Sequence, residues 1–156
     1  MLSCQIKIVP IFRELKIEDY DKGYLKLLTQ LSQVGNISKE DFLNRYNLIK
    51  SNPFHKIYVI EYENKIISSG TLLIEPKFIH NKGNVAHIED IVVHSEYRKL
   101  SLGKKIIKYL TDKAKNANCY KIILNCDYNV KTFYEKNNFI ERGLEMGLYF
   151  EFISKI

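Results

Sequence analysis

The stretch His87-Ile88-Glu89-Asp90-Ile91-Val92-Val93-His94, followed by Ser95-Glu96-Tyr97-Arg98-Lys99-Leu100-Ser101-Leu102-Gly103-Lys104, decides how this chain is read. Ile88, Ile91, Val92 and Val93 form a run apolar on both faces, as expected of a central strand covered on each side. Glu89 and Asp90 interrupt it. A carboxylate inside such a strand is costly unless it finds a partner or opens onto a cleft. Alternation sends the two acids to opposite faces unless a bulge intervenes. Downstream, Arg98 to Gly103 precede the amphipathic run Ile106, Ile107, Leu110. Free N–H groups at a helix start, together with the helix dipole, favour an anion there. One segment thus offers paired carboxylates next to an anion cradle. The plainer reading of Arg98 to Lys104 is a basic turn before a helix.

Working outward, Ile6 to Arg13 reads as a first strand. Asp19 or Asp21 can cap a helix carrying Tyr24, Leu27, Leu28 and Leu31. Ser38-Lys39-Glu40-Asp41 has the pattern of a capping box for a second helix, which Asn52-Pro53 stops. Lys56 to Tyr62 and Lys65 to Ile74 read as strands joined by a turn at Glu63-Asn64. Pro76 to Gly83 is a polar loop. The central strand runs from Val85 to Val93 and the helix from Ser101 to Asn116. Tyr120 to Cys126 reads as a strand, Val130 to Asn137 as a short helix and Met146 to Ile153 as a last strand. With no repeat, low-complexity tract or linker, residues 1–156 are expected to form a single domain.

The composition narrows the function. At 156 residues and 46% hydrophobic, the chain can bury a real core. No apolar run approaches the ~20 residues of a membrane helix, and the N-terminus lacks a signal-peptide pattern. The three cysteines, Cys4, Cys119 and Cys126, show no metal-ligand pairing and point to a reducing, cytoplasmic setting, with the latter two packed in or beside a strand. A net charge of +6 suits an acidic ligand such as a nucleotide phosphate. Nucleic acid is a weaker fit, because the lysines are scattered and the strands look covered on both faces, leaving no aromatic platform. His80, His87 and His94 recur every seven residues, but that odd interval puts His87 and His94 on opposite strand faces and no acid completes a set, so no metal is expected.

Arg98-x-x-Ser101-x-Gly103 resembles the pyrophosphate-binding motif of the Gcn5-related N-acetyltransferase (GNAT) superfamily, Arg/Gln-x-x-Gly-x-Gly/Ala. The flanks are more specific. His87 to Ile91, Cys119 to Leu124, Phe133-Tyr134-Glu135-Lys136 and Gly143-Leu144-Glu145-Met146 resemble, in order, the eukaryotic glucosamine 6-phosphate N-acetyltransferases. Val34 to Ser38 and Ile74-Glu75-x-Lys77-x-Ile79-His80 also fit. The resemblance covers roughly Ile8 to Phe150.

It implies an α/β (α+β) fold: a mixed central sheet with two splayed parallel strands, flanked by helices, with the co-substrate acetyl-CoA between the strands. It implies acetyl transfer to the amine of glucosamine 6-phosphate by direct attack, feeding UDP-N-acetylglucosamine synthesis. A homodimer with a shared active site is expected. Backbone groups of Ile91, Val92 and Val93 would hold the acetyl carbonyl and the pantetheine amides. The segment Arg98, Lys99, Leu100, Ser101, Leu102, Gly103 and Lys104 would wrap the pyrophosphate. Tyr134 would protonate the departing thiolate, and it would also touch the cofactor. Its plainer role is a core aromatic. Glu89 and Asp90 would serve catalysis and line the sugar pocket with Ser32, Lys77, His80 and Asn125.

Three departures from the family pattern matter. Ser101 stands where most superfamily members have Gly. Asn125 stands where an acid is usual, and an amide cannot take a proton. The proton of the attacking ammonium would then leave through Glu89, Asp90, Asp127 or water. Tyr149 replaces a basic residue of the fungal enzymes, shifting phosphate recognition toward Lys77, His80, Lys121 or Arg142. Rival readings are an acetyltransferase for a protein amine or polyamine, a non-catalytic acyl-CoA sensor, and a basic RNA-associated module.

Overall fold

A computed structural model describes residues 9–150. It divides into two compact units, Met1–Leu124 and Asn125–Ile156. In the first, one five-stranded sheet has the order β1 (Ile11–Glu14), β2 (His55–Tyr62), β3 (Lys65–Pro76), β4 (Asn84–Val93) and β5 (Cys119–Ile123). The first four are antiparallel neighbours; β5 pairs parallel to β4.

Helices cover both faces. α1 (Tyr24–Leu28) and α2 (Lys39–Ser51) contribute Tyr24, Leu27 and Phe42 to a cluster with Val59, Ile66 and Val92. The helix α4 (Leu102–Asn116) buries Leu102, Ile106, Ile107, Leu110 and Ala114, one stripe at helical spacing. Tyr58 meets Tyr109 of α4 edge-on, while its strand neighbour Val59 enters the α1–α2 cluster. Successive residues therefore feed opposite layers, which is why β4 reads as apolar on both sides.

Local chemistry explains the element ends. Ser38 and Asp41 form the expected capping box: Asp41 N–H donates to Ser38 Oγ at 3.1 Å, and Ser38 N–H donates back to Asp41 at 3.2 Å. Asn52, ahead of Pro53, ends α2. Glu63 and Asn64 both have positive φ (46° and 59°), the backbone of a tight hairpin turn.

Several expectations are corrected. Neither Asp19 nor Asp21 caps α1; Gly23 precedes it at φ 81°, and α1 stops at Leu28, leaving Leu31 exposed. Asp19 is instead buried and held by Arg13, a tertiary contact that α1's sequence does not reveal. The polar loop after β3 contains α3 (Ile79–Lys82), a single turn in which His80, Asn81 and Lys82 adopt left-handed φ. β5 ends at Ile123, so Asn125 and Cys126 lie beyond it, and Cys126 is exposed rather than packed. β1 begins at Ile11; the expected earlier start lies partly outside the described residues.

In the second unit a short helix, α5 (Lys131–Glu135), replaces the longer one expected. Among the described residues Met146 to Phe150 form no strand, so the expected last strand is not present there, and its remainder lies outside the described residues. Met146, Leu148 and Phe150 are each at least 79% exposed, so among the described residues no buried face sets a strand register for them.

Candidate active site

The site begins where β4 loses its neighbour. The β4–β5 pairing runs from Asn84↔Cys119 to His87↔Ile123 and stops, although β4 continues to Val93. Among the described residues the β5 side of β4 has no strand partner from Ile88 onward, so an extended ligand can bond to it as an added strand would.

Within that edge β4 bulges. Ser69 pairs with Val92 and Thr71 with Glu89, so Gly70 alone faces both Asp90 and Ile91. Asp90 takes a left-handed φ of 54°. The bulge breaks the alternation that would place Glu89 and Asp90 on opposite faces and re-aims the acid. Glu89 is half-buried and partnered, whereas Asp90 is exposed. Ser68, itself buried, donates to the Val92 carbonyl at 2.8 Å and fixes the strand just past the bulge.

Behind it, Ser69 Oγ is buried without a hydrogen bond of normal geometry. It lies by the phenol of Tyr24. Burial pushes that phenol up to about 12; the Ser69 hydroxyl opposes this, and the charge at Asp90 adds to it. Tyr24, Ser69 and Gly70 were not expected near the site; the sequence placed them only in a helix and a strand. A glycine inside a strand pattern was the available signal for the last of them.

After β4 a 3-10 turn, Ser95–Leu100, leads into α4. His94 Nδ1 accepts from Glu96 N–H, and Ser95 N–H donates to Gln30 Oε1 at 2.8 Å. Gln30 thereby ties this loop to the turn that carries the exposed Ser32. Arg98 Nε donates to the Val93 carbonyl at 3.2 Å, keeping the guanidinium beside the strand end. Ser101 sits at φ 58°, the left-handed backbone that the usual glycine adopts without strain. Ser101→Gly should therefore raise stability by ~0.5 kcal/mol and keep ligand binding. A lower melting temperature in thermal denaturation would show that the hydroxyl, not the backbone, matters there.

His80, His87 and His94 each have separate company. His87 Nε2 lies 3.0 Å from Glu75 Oε2, the His80 ring meets Tyr120 at a tilt with centroids 4.3 Å apart, and His94 caps the turn. Glu75 also takes Lys77 Nζ, and it sits below the usual carboxylate range through Lys77 first and His87 second. Lys77 is thus paired, while Lys121 lies 5.8 Å over the Tyr120 ring near His80.

In the second unit, Tyr134 packs edge-on against Phe133 and Phe139, with centroids at 5.0 and 5.8 Å. Its carbonyl accepts from Phe139 N–H at 3.1 Å, closing the turn after α5. Asn125 and Arg142 are exposed there.

An unpaired β4 edge, a bulge and a basic turn at a helix start are features that many chains could share singly; comparison with known proteins fixes the family. The acetyltransferase (GNAT) family model matches residues 14–139, a span that crosses both units. The glucosamine 6-phosphate N-acetyltransferase of Arabidopsis thaliana is 42% identical over 142 residues, 89% of this chain and 95% of that protein. Glucosamine 6-phosphate N-acetyltransferase 1 of Dictyostelium discoideum is 46% identical, covering 88% of this chain and 89% of its own length. The crystal structure of the Arabidopsis thaliana enzyme superposes with a TM-score of 0.88 over 92% of this chain and 99% of that one, at 41% identity. The chain belongs to the GNAT acetyltransferases and, within them, to the glucosamine 6-phosphate N-acetyltransferases.

Proposed function

We propose that this protein transfers the acetyl group of acetyl-CoA to the amine of glucosamine 6-phosphate, giving N-acetylglucosamine 6-phosphate for UDP-N-acetylglucosamine synthesis. The observation that carries the reading is the parting of β4 from β5 after His87, with the bulge in the exposed edge and the Arg98–Lys104 turn at its end. In this reading the pantetheine arm lies along Ile91, Val92 and Val93, and the pyrophosphate meets the turn and the first amides of α4. The family match across residues 14–139 supports treating both units as one catalytic domain.

The amine nitrogen attacks the thioester carbonyl, the C–S bond breaks and CoA leaves as a thiolate. An N–H of the bulged strand would stabilise the developing oxyanion. Holding both substrates together supplies much of the rate. Tyr134 gives the thiolate its proton. Glu89 and Asp90 bind sugar hydroxyls and help to remove the ammonium proton, which Asn125 cannot accept. With Lys77 engaged by Glu75, His80, Lys121 and Arg142 are left as the groups for the sugar phosphate, and Ser32 adds a hydroxyl. No helix among the described residues is long and apolar enough to cross a membrane, and Cys119 and Cys126 are free thiols, in keeping with a cytoplasmic enzyme.

Thiol release from acetyl-CoA, measured against amino sugars, their phosphates, polyamines and peptides, tests the substrate. Glucosamine 6-phosphate should be preferred; release only with peptides or polyamines would overturn the assignment. Gly103→Glu puts an anion in the second position of α4. CoA affinity should fall about 30-fold, roughly 2 kcal/mol, with the fold kept. Unchanged binding by calorimetry in the folded variant would displace the pyrophosphate from this loop.

The reading also makes the protein a homodimer whose C-terminal segment and active site are shared. Leu144, Met146, Leu148 and Phe150 are 79–94% exposed, an apolar run that a second copy would cover. Light scattering should report a dimer at micromolar concentration; a monomer alone would remove this element.

A further inference from the structure

Gly70 is buried in β3 directly across from the bulge, facing Asp90 and Ile91 together. A Cβ at this position would lie 2.5 Å from Ile91 Cδ1, 2.9 Å from Leu110 Cδ1 and 3.6 Å from Ile106 Cγ1. Contacts under 3 Å are not tolerated, so something must move. Both close atoms are δ-carbons at side-chain tips, and Ile91 Cδ1 is the nearer. Ile91 also belongs to the bulge, next to Asp90 with its left-handed backbone, where strand pairing holds it least. Its Cδ1 occupies the space that a β3 side chain would fill, a space that Leu110 and Ile106 of α4 also border.

We infer that Gly70 is a positioning residue for acetyl transfer: its missing side chain lets Ile91 seat between β3 and α4, and that seating fixes the bulge backbone against the acetyl group. The inference rests on the acetyl-transfer reading above. Gly70 touches no substrate and acts through Ile91. The pyrophosphate turn follows the end of β4, past the bulge, and its bonds to Val93 and Gln30 do not involve Gly70. Rate and cofactor affinity should therefore separate. A displacement of Ile91 disturbs the reacting carbonyl and leaves the pyrophosphate contact in place.

The test is a double-mutant cycle on the full chain, with glucosamine 6-phosphate and acetyl-CoA as substrates. Gly70→Ala should lower kcat at least tenfold while the CoA dissociation constant changes less than threefold. Ile91→Val removes Cδ1, the closest atom, and its own kcat is the reference for the double variant. The Gly70→Ala/Ile91→Val protein should come within threefold of the kcat of Ile91→Val. Wild-type kcat in folded Gly70→Ala overturns the inference. So does a double variant that stays tenfold slower than Ile91→Val, because the loss would then not pass through Ile91. Should Gly70→Ala not fold, the double variant is compared with Ile91→Val: near-equal kcat supports the coupling, and a tenfold deficit rejects it. If the wild type acetylates no amine, the catalytic reading fails, whereas the same cycle read in melting temperature still reports whether Gly70 and Ile91 are coupled.

Discussion

Replacing Asp19 by alanine should cost roughly 3 kcal/mol of stability, about 6–12 °C in melting temperature for a chain of this size. Asp19 is completely buried, and Arg13 grips it with two N–H groups at 2.7 Å each. Its Oδ2 also accepts the Lys16 backbone N–H at 2.8 Å. Arg13 Nε reaches Glu61 at 2.9 Å, and Lys22 reaches the other Glu61 oxygen at 2.6 Å. The guanidinium's pKa is raised, chiefly by the bond to Asp19, so it stays charged. Removing Asp19 leaves that cation half-satisfied in a space with little water, and frees a backbone donor. Asp19→Asn keeps an acceptor for Lys16 and should lose less. Equal melting temperatures for wild type and Asp19→Ala would show that Glu61 alone satisfies Arg13.

Acid should act on the same network. Glu61 is held below its ordinary 4.5, first by Lys22 and then by Arg13 against the opposing effect of burial. Above 4.5 the carboxylate is ionised in both folded and unfolded chains, and the network's stability is complete. As pH falls, the unfolded chain takes its proton first, and the contribution is lost down through the depressed folded value.

Tyr134→Phe should reduce turnover by ~10² while leaving the acetyl-CoA dissociation constant nearly unchanged. The ring's contacts with Phe133 and Phe139 survive the substitution, so folding should not suffer. The proposed proton for the CoA thiolate disappears. A free thiol ionises near pH 8.5, so the thiolate can leave partly unaided and activity should not vanish. Any alkaline loss of rate that comes from ionising this phenol should be missing in the variant. A variant with wild-type turnover and an unchanged alkaline limb would assign the proton to water or another group.

Features that local rules control were legible in the sequence alone. The capping box at Ser38, the stop at Asn52-Pro53, the Glu63-Asn64 turn and the apolar stripe of α4 follow from neighbours within four residues. The two-sided burial of β4 followed from Ile88, Ile91, Val92 and Val93, because no other placement hides so continuous an apolar run. The short motif from Arg98 to Gly103 marks the start of α4, whose free amides suit the anion site proposed there.

The rest depended on contacts between elements distant in the chain. Whether Glu89 and Asp90 diverge or not depended on one residue of β3 standing against two of β4, a register between strands that neither strand specifies alone. Asp19 looked like a helix cap because its chemistry suits one, yet the guanidinium of Arg13, presented by β1, bonds it more strongly. Lys77 was expected in the sugar pocket, yet it pairs with Glu75, which also bonds His87 across from β4. The end of β5 at Ile123 is likewise a matter of partners, since β4 remains extended while its pairing stops. Gly70 is the clearest case. In sequence it is a weak position in a strand; in space it is the gap that Ile91 fills, and the neighbours that make it necessary come from β4 and α4, distant in the chain.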